Sequence, residues 1–399
     1  MPTSPTTLTI GLAPGTRDAG STRGTAEQRL IAAGGAHPVV WVGGEAPGGL
    51  GLPSALATRS QMYAPRGVWL DDEHLIVSDT GNHRVLIWHG APTENHSDAD
   101  VVIGQADFEH EGAQSAGRGP ANGLRLPTGV LVHEGRLVVA DAWNHRLLIW
   151  NTVPQRNDVA PDVVIGQADE TSVEENRSGD CGPLGFYWPF GLSIVGDHFY
   201  VADTGNRRVL GWPGIPEPDQ LPSIVIGQPS AFERDENRGE LGPCSFRWPH
   251  DIAGTDDVLF IADAGNHRVL GWTPPPTTDR DADLVLGQAD FLNGTEFPYK
   301  PQTTTSMRFP YAIDISDGVM AVADTANNRI LVWDAVPMGS TVPADKVFGQ
   351  PDFAQNGENR WDAVVHDSLC WPYGLSLHGN RMAIADSGNN RAMIWELGA

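Results

Sequence analysis

Residues 77–88 read VSDTGNHRVLIW, and five further stretches repeat that line: VADAWNHRLLIW (139–150), VADTGNRRVLGW (201–212), IADAGNHRVLGW (261–272), VADTANNRILVW (322–333) and IADSGNNRAMIW (384–395). Each is a short apolar strand ending in Asp, a small turn, Asn-x-Arg, and a second apolar strand ending in Trp. The aspartates stand at 79, 141, 203, 263, 324 and 386, so the steps are 62, 62, 60, 61 and 62 residues. A period that steady means a repeat architecture, in which one supersecondary unit is stacked many times.

Each unit holds four strand-like runs, here termed a to d. In the second unit they are LPTGVLV (126–132), RLVVAD (136–141), RLLIW (146–150) and DVVIGQ (162–167). All are short, rich in Val, Ile and Leu, and bounded by Gly, Pro, Asp or Asn, which is the pattern of all-β modules. The a–b and b–c links are tight, so consecutive strands pair antiparallel in a meander. Six such sheets, each too small to bury its own faces, stack around an axis. The expected fold is all-β, a six-bladed β-propeller of four-stranded antiparallel blades.

Strand d occurs as DVVIGQ (100–105 and 162–167), SIVIGQ (223–228), DLVLGQ (283–288) and DKVFGQ (345–350), which leaves the sixth unit without one. Near the N-terminus stands PVVWVGG (38–44). From the residue after the strand-d Gly to the next strand-a Pro the steps are 22, 22, 21, 22 and 22, and from Gly44 to Pro65 the step is 21. Residues 39–43 are therefore expected to complete the last blade and close the ring. Residues 38–399 then form the propeller, and residues 1–37 a Gly/Ser/Thr/Pro-rich extension expected to be mobile.

The Trp that ends strand c recurs in all six units, at 88, 150, 212, 272, 333 and 395. A large ring at one fixed place per blade suits packing between blades. The Asp that ends strand b suits the turn amides, and the Arg five residues later is expected to form a bidentate pair with it across the turn.

The chain carries 26 basic against 50 acidic residues, a formal charge of −24. That balance argues against a nucleic-acid or anionic-membrane partner, both of which need a basic footprint. Three cysteines without paired spacing make no disulfide framework. The N-terminus lacks the basic and apolar regions of a secretory signal, and no stretch approaches the ~18 apolar residues of a membrane span. The expectation is a cytoplasmic protein.

Asn-His-Arg at 82–84, 144–146 and 266–268, with Asn-Asn-Arg and Asn-Arg-Arg variants, resembles the Asn-His-Leu motif of NHL repeats. The strand-d signature IGQ-A/P-D-F, followed by a Gly/Asn-rich loop and x-P-x-G, is similar to a bacterial subtype of those repeats. The resemblance covers residues 38–399 and implies a six-bladed propeller. It implies no single function, because such propellers serve as protein-binding platforms, RNA binders and, in the amidating lyases, zinc enzymes.

The d–a links are about twenty residues each (106–125, 168–187, 229–247, 289–308, 351–370), variable and acidic. Long loops on a rigid ring are where binding usually resides. Just beyond each loop the residue after the strand-a Pro should line the channel mouth. Those residues are Arg66, Thr128, Phe190, His250, Tyr311 and Tyr373, and this unrepeated set is the candidate binding site. WPHDI (248–252) is similar to the segment that carries a zinc-ligating His in amidating lyases. A zinc enzyme needs about three protein ligands, however, and His250 is the one His among six equivalent positions. Cys181, Cys244 and Cys370 lie 8, 5 and 2 residues before their prolines, so they do not make an equivalent set. The expectation is a non-catalytic binding or scaffold propeller with no metal and no cofactor, whose partner is another protein or a small ligand at the mouth. The alternative is a metal-dependent lyase or a lactonase-like hydrolase.

Overall fold

The computed structural model describes residues 36–44, 57–296 and 300–398. These form six four-stranded sheets, all of whose pairings are antiparallel, and in five of them the strands run in chain order from the axis outward. The innermost strands a are Gly67–Leu70, Val130–His133, Pro189–Val195, Pro249–Thr255, Pro310–Ser316 and Pro372–His378. The sixth sheet is closed as expected. Its outermost strand is His37–Gly43, paired with Arg391–Glu396 in a register that sets Trp41 opposite Met393, with a bulge between Pro38 and Val40. Of the expected extension, residues 1–35 lie outside the described residues.

No blade has a core of its own. The buried apolar side chains fall into six clusters, and each cluster spans the seam between two neighbouring blades, including the seam between blades six and one. The repeated Trp is buried in that seam in every blade. In five blades its indole N–H donates to a carbonyl of the c–d link at 3.0–3.1 Å, so the ring packs without leaving its polar atom unsatisfied.

The Asp–Arg element differs from the expected bidentate pair. All six Asp and all six Arg side chains are completely buried. Only Nε of each Arg donates to the aspartate, at 2.6–3.1 Å. The same carboxylate oxygen accepts from the motif Asn, while the other accepts a backbone N–H sixteen residues upstream, as Asp141 does from Asn144 and Arg125. In five blades the remaining Arg donors go to carbonyls of two different d–a loops, while Arg391 reaches only Val365 and Ser368 in the loop before its blade. Arg146 donates to Pro120 and Gly123 in the loop before its blade and to Glu170 in the loop after it. Arg84, Arg208, Arg268 and Arg329 repeat this pattern. A planar fork with five donors can hold two loops and a carboxylate at once; the spacing alone does not show that the loops compete for it.

The middle residue of Asn-x-Arg also has a definite task. It adopts the left-handed conformation in all six blades, with φ of 52–56°. From there Nδ1 of His83, His145 and His267 accepts the backbone N–H of Leu126, Trp188 and Phe309 in the next blade, at 3.0–3.2 Å. Asn328 and Asn390 do the same with their amide oxygens for Trp371 and Ala64, the latter across the closing seam. Arg207, which cannot accept, breaks the series.

Deleting residues 1–45 removes the outer strand of blade six and bares a sheet edge, so it should sharply lower thermal stability and solubility, whereas deleting 1–33 should leave both near wild type. Equal melting temperatures for the two truncations would contradict closure by this strand.

Replacing Arg146 with Ala strands a buried carboxylate and three loop carbonyls. A loss of about 3–5 kcal/mol in unfolding free energy is expected from urea denaturation.

Burial lowers the pKa of His83 and His267 and takes that of His145 down to about 4, because a neutral ring must accept the neighbouring amide. The unfolded rings take up protons near 6.5 and the folded ones resist, so stability is full above pH ~6.5 and falls as pH drops toward 4. A His145→Asn variant keeps the acceptor and should lose less stability between pH 7 and 4.5 than wild type.

Candidate functional site

Each inner strand follows a d–a loop through a proline. In five of the six blades the residue before that proline is left-handed, with φ of 47–54°. This conformation is disfavoured for a non-glycine residue and more so before proline. The amide brackets from the preceding blade hold it there. The chain thereby turns sharply downward, and the residue after the proline arrives at the top of the channel.

All six sequence-chosen residues, Arg66, Thr128, Phe190, His250, Tyr311 and Tyr373, line one central cavity of about 280 Å³. Five of them form a continuous arc. Ring centroids are 4.4 Å apart for Phe190 and His250, 4.2 Å for His250 and Tyr311, and 4.6 Å for Tyr311 and Tyr373. The Arg66 guanidinium lies 4.8 Å above the Tyr373 ring. Thr128 does not join them. It is buried, and its hydroxyl donates to the Pro189 carbonyl at 3.2 Å, tying blade two to blade three.

Below the arc the inner strands approach closely. A Cβ on Gly67 would lie 1.8 Å from the Thr128 carbonyl, and one on Gly129 would lie 2.2 Å from that of Phe190. At these two positions only glycine fits, which accounts for the x-P-x-G signature there. Blade four carries Asp251 and blade five Ala312 at the equivalent position. The Asp251 carboxylate accepts the Ile313 amide across the seam at 3.0 Å, and Asp314 likewise accepts that of Leu377 at 2.7 Å and its neighbour Ile315 at 2.8 Å. Burial in the channel wall pushes Asp251 up to about 8 and Asp314 up to about 6.

A second aromatic ring escaped the sequence reading. The residues before the prolines include Trp188, Trp248, Phe309 and Trp371, and Trp143 joins them from a b–c turn at 5.4 Å from Trp188 and 5.9 Å from Phe190. Trp248 is 36% and Trp371 38% exposed. The sequence signal is WPF, WPH, FPY and WPY, in which the residue before the proline is aromatic in every case. The loops above add Phe232, Leu292 and Trp361, all strongly exposed.

The d–a loops are pinned rather than loose. Glu-Asn-Arg at 175–177, 236–238 and 358–360 makes a left-handed turn whose Asn pairs with the motif Asn of the next blade. Asn176 and Asn206 exchange both amide hydrogen bonds, as do Asn359 and Asn389. The face is therefore preorganised, with acidic loops around an aromatic floor.

No protein-family model matches the chain. It is similar to NHL repeat-containing protein 2 of Homo sapiens, 23% identical over 337 residues, which is 77% of this chain and 45% of that protein. The Gallus gallus protein of the same name is 23% identical over 371 residues, 85% of this chain and 47% of that one. The chain is a six-bladed β-propeller with weak similarity to NHL repeat-containing proteins. It spans about half the length of the curated relatives it matches. A Bacteroides thetaiotaomicron structural genomics protein of unknown function shares the propeller fold, at TM-score 0.50 and 10% identity, over 90% of this chain and 75% of the other. Virginiamycin B lyase from Staphylococcus aureus superposes at TM-score 0.44 with 10% identity, over 86% of this chain and 98% of the lyase.

The propeller's remaining chemistry is sparse. His250 is buried, and burial with the nearby Arg66 charge takes its pKa down to about 3, so it is neutral. Its ring is sandwiched between Phe190 and Tyr311. Cys181 and Cys370 are buried thiols, the latter pushed up to about 12 by burial, and Cys244 is partly exposed. Among the described residues no three His, Cys, Asp or Glu side chains are grouped to hold a metal ion, and no helix is long and apolar enough to cross a membrane.

Proposed function

We propose that this chain is a non-catalytic binding propeller that acts in the cytoplasm and engages another protein through its d–a loop face and channel mouth. The observation that carries this reading is the continuous aromatic floor from Trp143 through Phe190, His250 and Tyr311 to Tyr373, set in rigid acidic loops. Aromatic side chains at the centre of a face, with a polar rim, are the usual anchors of an interface. None of these rings belongs to the repeat consensus, so packing between blades does not call for them. The acidic rim favours a basic partner, whose association slows as salt is raised, because exposed charges are screened within ~10 Å at 0.1 M.

A Tyr311→Ala/Tyr373→Ala variant should keep the melting temperature within a few degrees and lose the proteins that co-purify with the wild-type chain. Normal binding by this variant, with loss in substitutions on the a–b and c–d turns, would move the site to the opposite face. The same samples test the alternative, a metal-dependent lyase or hydrolase. Elemental analysis giving about one transition metal per chain, lost in His250→Ala, would favour it.

A further inference from the structure

Arg66 is out of place by the electrostatics of this chain. Basic residues are outnumbered almost two to one, 26 against 50, and the described arginines mostly have a carboxylate or several carbonyls at hand. Arg66 has no carboxylate within ion-pair distance among the described residues, and its Nε is buried with no hydrogen-bond partner. The guanidinium rests on the face of Tyr373, 4.8 Å from the ring centroid. A cation–π contact offsets part of the cost of removing a guanidinium from water, but it leaves the in-plane donors unused.

The groups that face it are neutral. His250 is uncharged, its pKa lowered first by burial and then by the Arg66 charge. The Tyr311 hydroxyl is held protonated, its pKa raised by burial and by its hydrogen bond with Tyr373. The acids lower in the channel are engaged elsewhere. Asp251 and Asp314 each accept one backbone amide across a blade seam and another from the residue that follows in the same strand. The mouth therefore holds one positive charge, two phenol groups and flat apolar walls, in a space of about 280 Å³.

We infer that the channel mouth binds a single carboxylate carried on a small aromatic group, with Arg66 as its ion-pair partner and the Phe190, Tyr311 and Tyr373 side chains lining the space around its ring. An Arg fork matches a carboxylate in two parallel hydrogen bonds, and this pairing gains strength where water is excluded. A cavity of this size admits a free aromatic acid or the last residue of a peptide, not a folded surface. The inference rests on the reading of the mouth as a binding site and names its chemistry. It also accommodates an acidic rim, since a basic segment ending in a free carboxylate would match both.

The test titrates the full chain with benzoate and with benzylamine, which has the same ring and the opposite charge, followed by calorimetry or ligand-observed NMR. Benzoate should bind at least ten-fold more tightly than benzylamine, and Arg66→Gln should weaken benzoate at least ten-fold while leaving benzylamine within two-fold. A peptide ending in Phe with a free or an amidated C-terminus separates the two sources. Tighter binding of the free-terminus peptide than of benzoate points to a protein terminus, tighter binding of benzoate points to a small acid, and either upholds the carboxylate. Equal or tighter binding of benzylamine overturns the inference, as does unchanged benzoate binding in a folded Arg66→Gln. The comparison of the two probes needs no variant, so it stands even if Arg66→Gln does not fold. If neither probe binds and the Tyr311→Ala/Tyr373→Ala variant still loses its protein partner, the carboxylate assignment fails while the interaction face survives. If that variant binds normally, the face itself is wrong.

Discussion

Each blade contains one arginine that is wholly buried and has too many obligations to be replaced by any other side chain. Its Nε meets the strand-b aspartate, and in five blades its two terminal nitrogens reach carbonyls in the loops on either side, whereas Arg391 reaches only the loop before its blade. A buried charge is tolerable only when its donors are satisfied, and here satisfaction requires both loops to be in place. Loop conformation and blade core are thus coupled through a single guanidinium, and the rest of the upper face is built on that coupling.

From this constraint the geometry of the mouth follows. Pinned loops deliver their ends to the same height in each blade, and the brackets from His83, His145, His267, Asn328 and Asn390 hold the pre-proline residue left-handed. The energetic cost of that conformation is met by interactions between blades, not within one. The result is a tier of side chains before the proline and another after it, both displayed from rigid backbone. Such preorganisation lowers the entropy lost when a partner docks.

The informative positions are those where one blade departs from its siblings. Arg207 cannot accept the bracket, and the Trp248 amide bonds instead to Asp263 at 3.2 Å, with no left-handed residue at Trp248. Asp251 stands where four other blades have glycine and staples two blades through its carboxylate. Phe190, His250, Tyr311 and Tyr373 follow no repeat consensus, and Arg66 stands among them with no carboxylate partner among the described residues. Where the repeat is obeyed, packing accounts for the residue; the departures around the mouth are concentrated on one face.

The sequence by itself determined the six-fold repeat, the strand order within a blade and the closure by residues near position 40. It could do so because periodicity and hydrophobic patterning are local and occur six times over. It also located the five residues that form the arc at the mouth, since the proline before each marks the start of an inner strand. It did not reveal that Thr128 faces the wall, that the Arg holds two loops instead of forming a bidentate pair, or that His145 bonds to a neighbouring blade. Those outcomes depend on which backbone groups of the loops and of the next blade come to lie against each side chain, 23 to 61 residues away in sequence and within hydrogen-bond distance in space. Only the closed ring brings them together, and with them the unpaired charge of Arg66.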